Sequence, residues 1–264
     1  MFNYMVVKKK NKNISMNKVT YIKIICFFCI ATSAYSKDQI KIGDLTPKSS
    51  GEIVHHSYYS LAYSEENEQA YWVFYRLTPD FLNSAIDRTD DFRADPAVTT
   101  GSATLDDYKG SGYDRGHLCP AADMKLNDTS ISESFYLSNM SPQDPSFNRG
   151  IWSKLEELVR VWCIAEDTIY IVTGPIFKND KGIIGQDQVT VPGYYFKTIF
   201  DITGDMKMIA LVLPNIKSSE PLESFVISVD SLESLTKIDF FPELADQIEF
   251  LLESEIDKSK WNFK

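Results

Sequence analysis

Apolar and aromatic residues fall in short runs separated by polar turns. Glu52-Ile53-Val54, Tyr58 to Tyr63 and Ala70 to Leu77 (AYWVFYRL) are strand-like, and the polar stretch Ser64 to Gln69 turns the chain between the last two. Aromatic and β-branched side chains suit a pleated surface, so Gly51 to Leu77 predicts a β-hairpin. Asp87 to Thr100 is polar and predicts an irregular loop. Asp128 to Glu133 offers a helix start. Phe135 to Met140 is strand-like again. Ser141-Pro142-Gln143-Asp144-Pro145 predicts a turn, because two prolines remove backbone donors and fix φ. After Phe147-Asn148-Arg149-Gly150, residues Ile151, Trp152, Leu155, Leu158, Val159, Trp162 and Cys163 recur at helical spacing and form one apolar face.

The second half continues with strands over Thr168 to Thr173, Tyr194 to Ile202, Met208 to Leu213 and Phe225 to Val229. Ser231 to Leu235 predicts a short helical turn. Pro242 is placed to open a final helix with Leu244, Ile248, Leu251 and Leu252 on one side, since proline is favoured at the first helical position. Strands outnumber helices, and no alternation of strand and helix is visible. The expected fold class is α+β, a central, largely antiparallel sheet flanked by helices, in one domain over 37–264.

The N-terminus breaks this pattern. Residues 1–36 carry six lysines and no acid, followed by the apolar run Ile24 to Ala31 and the small residues around Ala34-Tyr35-Ser36. This is the layout of a secretory signal peptide, which predicts a secreted or periplasmic protein with no stable membrane association after cleavage. Cleavage would leave 21 basic against 37 acidic residues and move the formal charge from −10 to −16. So acidic a chain argues against broad electrostatic adhesion to nucleic acid or anionic membranes, but not against a local basic cleft. Cys26 and Cys29 would leave with the signal segment. Cys119 and Cys163 remain, either as a disulfide or as two buried thiols.

Candidate chemistry centres on Asp114-Arg115-Gly116-His117. Arg115 and His117 are two apart, so on a strand they share a face, and a cation beside a base suits a phosphate and a water. His55 and His56 are adjacent and would face opposite ways, which suits a structural or solvent-facing role. Asn139 and Asn148 flank the predicted turn, and Glu156 follows eight residues after Asn148. In a regular helix that spacing is a rise of about 12 Å and a drift of about 80°. Asn148 as direct ligand, with Glu156 on the ion's waters, fits better than joint ligation, and a water-rich oxygen shell suits Mg²⁺. Helix capping for Asn148 and ordinary surface charge for Glu156 are the competing structural roles.

Taken together, these segments resemble the DNA/RNA non-specific endonuclease family of the ββα-metal type. The resemblance rests on Asp114-Arg115-Gly116-His117, Asn139-Met140-Ser141-Pro142-Gln143, and Phe147-Asn148-Arg149-Gly150 with Trp152 and Glu156. It continues through Thr173-Gly174-Pro175-Ile176-Phe177, Val191-Pro192 with Lys197, and Ile238-Asp239-Phe240-Phe241-Pro242. It implies metal-dependent hydrolysis of DNA and RNA to 5′-phosphate ends. His117 would be the general base and Asn148 the direct ligand to Mg²⁺ or Mn²⁺, with Arg115, Asn139 and Glu156 as supporting catalytic positions. Some members carry a further arginine in the loop before the Asp-Pro pair. Asp90 stands at the matching position here, so Arg93 is the expected substitute, with Arg88 close by and Arg149 a second phosphate contact. DNA and RNA are the implied partners, and an inhibitor protein stays open. Two other readings use the same fold: a surface protein that binds nucleic acid without cutting it, and a phosphodiesterase restricted to small diesters.

Overall fold

The computed structural model describes residues 45–82 and 85–263. The expected signal segment lies outside them. In chain order the strands are β1 (Glu52–His55), β2 (Tyr59–Ser64), β3 (Gln69–Leu77), β4 (Asp114–His117), β5 (Met140–Gln143), β6 (Ile169–Ile176), β7 (Ile183–Ile184), β8 (Val189–Thr190), β9 (Tyr194–Asp201), β10 (Lys207–Pro214) and β11 (Val226–Ile227). The helices are α1 (Leu105–Tyr108), α2 (Asp128–Glu133), α3 (Ser153–Glu166), α4 (Val229–Thr236) and α5 (Asp246–Ser254).

Period-two alternation in the long strands gives a sheet with two buried faces. Among the described residues the main sheet has seven strands in the order β1-β2-β3-β6-β9-β10-β11, and every neighbouring pair is antiparallel. One face carries Val73, Tyr75, Ile171, Tyr195, Ile199 and Leu211 against Leu155, Val159 and Trp162 of α3. The other carries Trp72, Phe74, Val172, Phe196 and Phe200 against Val229 and Leu232 of α4 and Leu252 of α5. Helices therefore cover both sides, and the fold is α+β as the pattern predicts.

Three local expectations change. The strand expected over Phe135 to Met140 is displaced C-terminally, since Leu137–Asn139 forms a 3-10 turn and β5 runs through Ser141 and Pro142. β5 pairs only with β4, so Pro142 needs no second partner for its missing N–H, and a proline is tolerated on such an edge. The final helix begins at Asp246, not at Pro242. Phe241 takes a positive φ of 55° and turns the chain so that Phe241 and Leu244 enter the core, while Leu251 faces solvent. Phe225 to Val229 yields only the two-residue β11, because Ser228 caps α4 through the N–H of Ser231. Cys119 and Cys163 are free, buried thiols.

Candidate active site

β4 and β5 form a separate antiparallel ribbon in which Asp114 faces Gln143, Arg115 faces Pro142, Gly116 faces Ser141 and His117 faces Met140. The chain leaves β5 directly into helix. Asp144 caps this helix by accepting from Ser146 N at 2.8 Å, with Pro145 in the first turn. Asn148 is therefore inside the helix and not its cap. Residues Asn148–Trp152 wind as a π-turn with Gly150 kinked out of helical geometry (φ −111°, ψ −108°), and α3 follows. A π-turn carries an extra residue, and such turns cluster at functional sites. The kink at Gly150 breaks the regular helical offset between positions 148 and 156. Two strands and a helix thus carry the candidate residues, each on an element that follows the last.

Strand alternation sorts the side chains of β4. Arg115 and His117 share the neighbour Phe92. The Arg115 guanidinium lies 4.2 Å from the centre of that ring, and the imidazole lies 5.7 Å from it. Phe135 closes the group edge-on, 5.1 Å from His117 and 4.9 Å from Phe92. Arg88 covers the Phe135 ring at 4.8 Å. His117 thus stands in an aromatic corner with an arginine stacked on each wall. Between Arg115 and His117, Gly116 is required by space. A Cβ there would lie 2.2 Å from the buried Gln143 side chain.

His117 Nε2 is sealed without a hydrogen-bond partner, so proton exchange with water or substrate falls to Nδ1. Burial, then the charges of Arg88 and Arg115, push the imidazole down to about 3. It is neutral at neutral pH, with a lone pair available.

Asp114 reaches the helix. Its Oδ2 accepts from Asn148 Nδ2 at 2.9 Å, and both of its oxygens receive Arg149, Oδ2 from Nε at 2.8 Å and Oδ1 from Nη2 at 2.6 Å. A carboxylate only accepts, so the Asn148 amide must present its nitrogen to Asp114 and its oxygen elsewhere. The free amide oxygen is the donor a hard cation needs. The Arg149 side chain is 73% exposed at this rim, although its guanidinium is paired with Asp114.

Glu156 lies deeper, in a polar pocket with Lys197, Asp123 and Arg160. Burial raises its carboxyl to about 7, opposed by Lys197. Lys197 is buried on β9, its ammonium 5.0 Å over the Trp152 ring and without a hydrogen-bond partner, and burial lowers its affinity for a proton. Asp123 is held by Arg160 at 3.0 Å and by the Tyr75 hydroxyl at 2.9 Å.

Two expected residues have other work. Asn139 is fully buried, and its amide is spent on the backbone. Oδ1 accepts from Cys119 N at 2.8 Å, and Nδ2 donates to Cys119 O at 2.9 Å and Ser134 O at 2.8 Å. It positions the segment after His117 and has no group left for substrate. Arg93, expected beside phosphate, donates to Asp91 and Ser132 and stacks on Tyr136 at 4.1 Å. Arg88 is the loop arginine that acts on His117. Nothing in the local sequence separates the two, since the choice is made by the distant Phe135. The other histidines are structural or exposed: His56 pairs with the buried Asp95 at 2.9 Å, and His55 faces solvent.

The family model for DNA/RNA non-specific endonucleases matches residues 38–247. The chain belongs to that family. It is 34% identical over 202 residues to human mitochondrial endonuclease G, covering 70% of this chain and 68% of the relative. It is 34% identical over 212 residues to a nuclease of a Nostoc species, covering 75% and 76% respectively. A chain in the crystal structure of the EndoG/EndoGI complex superposes with a TM-score of 0.72 at 31% identity, over 80% of this chain and 94% of that one. The enzyme class is accordingly that of a DNA/RNA endonuclease.

Proposed function

We propose that this chain is a secreted, metal-dependent endonuclease that cuts DNA and RNA without sequence preference and leaves 5′-phosphate ends. The observation that carries this reading is the Asn148 amide, whose oxygen is turned free by Asp114 on the same ribbon that carries His117. That single oriented oxygen, with Glu156 further along in α3, fits a divalent ion that keeps most of its waters, as Mg²⁺ does. When bound, the ion neutralises charge on the phosphate and on the leaving oxygen.

The remaining chemistry belongs to the chain. Arg115 and Arg88 flank His117 and bind the phosphodiester, their guanidinium groups already held flat by Phe92 and Phe135. The bound phosphate offsets the two positive charges that depress His117, which strengthens the base when substrate is present. His117 Nδ1 then takes the proton from water as it attacks phosphorus. Breaking the P–O3′ bond leaves the phosphate on the 5′ side. Glu156, near half-protonation at neutral pH, holds water on the ion side and can exchange a proton with it. The basic and apolar N-terminal stretch supports export. Among the described residues no helix is long and apolar enough to cross a membrane.

The test is digestion of plasmid DNA and of RNA by purified protein with Mg²⁺ or Mn²⁺, and again with EDTA. His117→Ala is expected to lose roughly 10²–10⁴-fold in rate. Undiminished digestion by that variant, or full activity in EDTA, would sink the reading.

A further inference from the structure

On the face of the sheet opposite the active-site helix, α4 and α5 bring acids together. Asp230 and Glu233 are three apart on α4, and Glu249 and Glu253 are four apart on α5, so each pair shares a helix face. Carboxylate oxygens of Asp230, Glu233 and Glu253 lie within 4.8 Å of one another. Glu253 is only 3% exposed, and its Oε1 is sealed with no hydrogen-bond partner. Glu233 is fixed in place by the N–H of Phe240 at 2.8 Å. A buried carboxylate without a donor, facing two others, is a site that lacks a positive charge.

We propose that Asp230, Glu233 and Glu253 form a calcium site that ties α5 to α4, separate from the catalytic centre. Carboxylate oxygens that all lie within 4.8 Å of one another are close enough to share one ion, and calcium accepts several carboxylates in irregular geometry at about 2.3–2.6 Å. Magnesium holds its ligands closer and keeps more water. The charges that act most strongly on Glu253, from Glu233, Glu249, Asp230 and Asp239, are all negative. Without a cation the cluster closes only by keeping a proton, and burial with these neighbours pushes Glu253 up to about 9. α5 has reason to be tied down, since Phe250 and Leu251 face solvent and its grip on the core is through Leu252 and the half-buried Ile248.

The experiment uses the full chain carrying Asn148→Ala, so that the catalytic ion does not enter the readout. After chelation, calcium chloride is titrated while heat of binding and thermal midpoint are followed. One calcium per chain and a raised midpoint are expected. Asp230→Asn and Glu253→Gln should each weaken binding by about tenfold or more. In chelator Glu253→Gln should melt at or above its parent, which shows that the variant folds. Equal calcium binding in parent and both variants would overturn the site. So would no binding up to millimolar calcium, the outcome for a cluster held by a proton alone.

Discussion

The Asp114 carboxylate accepts a hydrogen bond from Asn148 Nδ2 at 2.9 Å and so decides which end of that amide faces outward. An asparagine amide left to itself can present either end. Here the choice is forced by a group that cannot donate. Asp114→Asn removes the constraint, because the new amide can pair with either end of Asn148. Activity at saturating metal should fall, and the metal concentration for half activity should rise by about 10–100-fold, the usual cost of losing a ligand's orienting partner. Arg149→Ala separates the ion pair from the orientation. It should leave the metal requirement nearly unchanged, because the Asp114–Asn148 bond survives. An unaltered metal titration in Asp114→Asn would show that Asp114 does not orient a ligand.

Arg88 and Arg93 lie five positions apart in one loop and should behave differently. Arg88 acts electrostatically on His117 and stacks on Phe135, whereas Arg93 is committed to Asp91, Ser132 and Tyr136. Arg88→Ala should raise KM or lower kcat for nucleic acid with little change in Tm. Arg93→Ala should lower stability by about 1–2 kcal/mol, with activity per folded molecule retained. Steady-state kinetics beside thermal unfolding reads both. The reverse pattern would return the phosphate-binding role to Arg93.

The contrast between these arginines shows where sequence reading reaches its limit. Strands such as β3, β9 and β10 were legible as near-continuous apolar, aromatic and β-branched runs, because helices bury both faces of the sheet. His117, Asn148 and Glu156 were singled out through the motifs that carry the family resemblance, since spacing alone left capping and surface charge open for Asn148 and Glu156. Pro142 was misleading: proline argues for a turn, but a ribbon strand with one neighbour tolerates it. The site helix opens at Asp144, ahead of Asn148, and its kink at Gly150 is a conformation that spacing does not encode. Asn139 looked reactive because its type and motif fit. Only the positions of Cys119 and Ser134 reveal that its amide is used up.

Asn139 offers a test of positioning against chemistry. Its three hydrogen bonds join the segment after His117 to the turn before β5. Asn139→Ala leaves buried backbone groups unsatisfied at about 1–3 kcal/mol each. Tm should drop, and activity should fall because His117 is no longer held in register. Asn139→Asp keeps an acceptor for Cys119 N but not the donor to Cys119 O and Ser134 O, and should be intermediate or worse. Hydrogen exchange at Cys119 N is the direct readout. Full Tm with lost activity would instead mean that Asn139 touches substrate.

The half-buried imidazole gives the fold an acid-sensitive element. His117 is held down to about 3 by burial and by the charges of Arg88 and Arg115, whereas in the unfolded chain it titrates near 6.5. Between those values the unfolded chain takes up a proton that the native state refuses, so stability attributable to this group falls as pH drops through the window and is level above it. Glu156 works in the opposite sense. Its native carboxyl, raised to about 7, binds a proton before the unfolded one does, so its contribution improves as pH falls from 7 toward 4.5. Overall acid unfolding mixes both, and the useful quantity is a difference between proteins. His117→Gln removes the first effect and leaves the second. Relative to its own stability at pH 7.5, this variant should lose less than the parent between pH 6.5 and 4, measured by denaturant unfolding at each pH. Parallel stability curves would show that His117 titrates alike in both states, and that the aromatic corner does not exclude its proton.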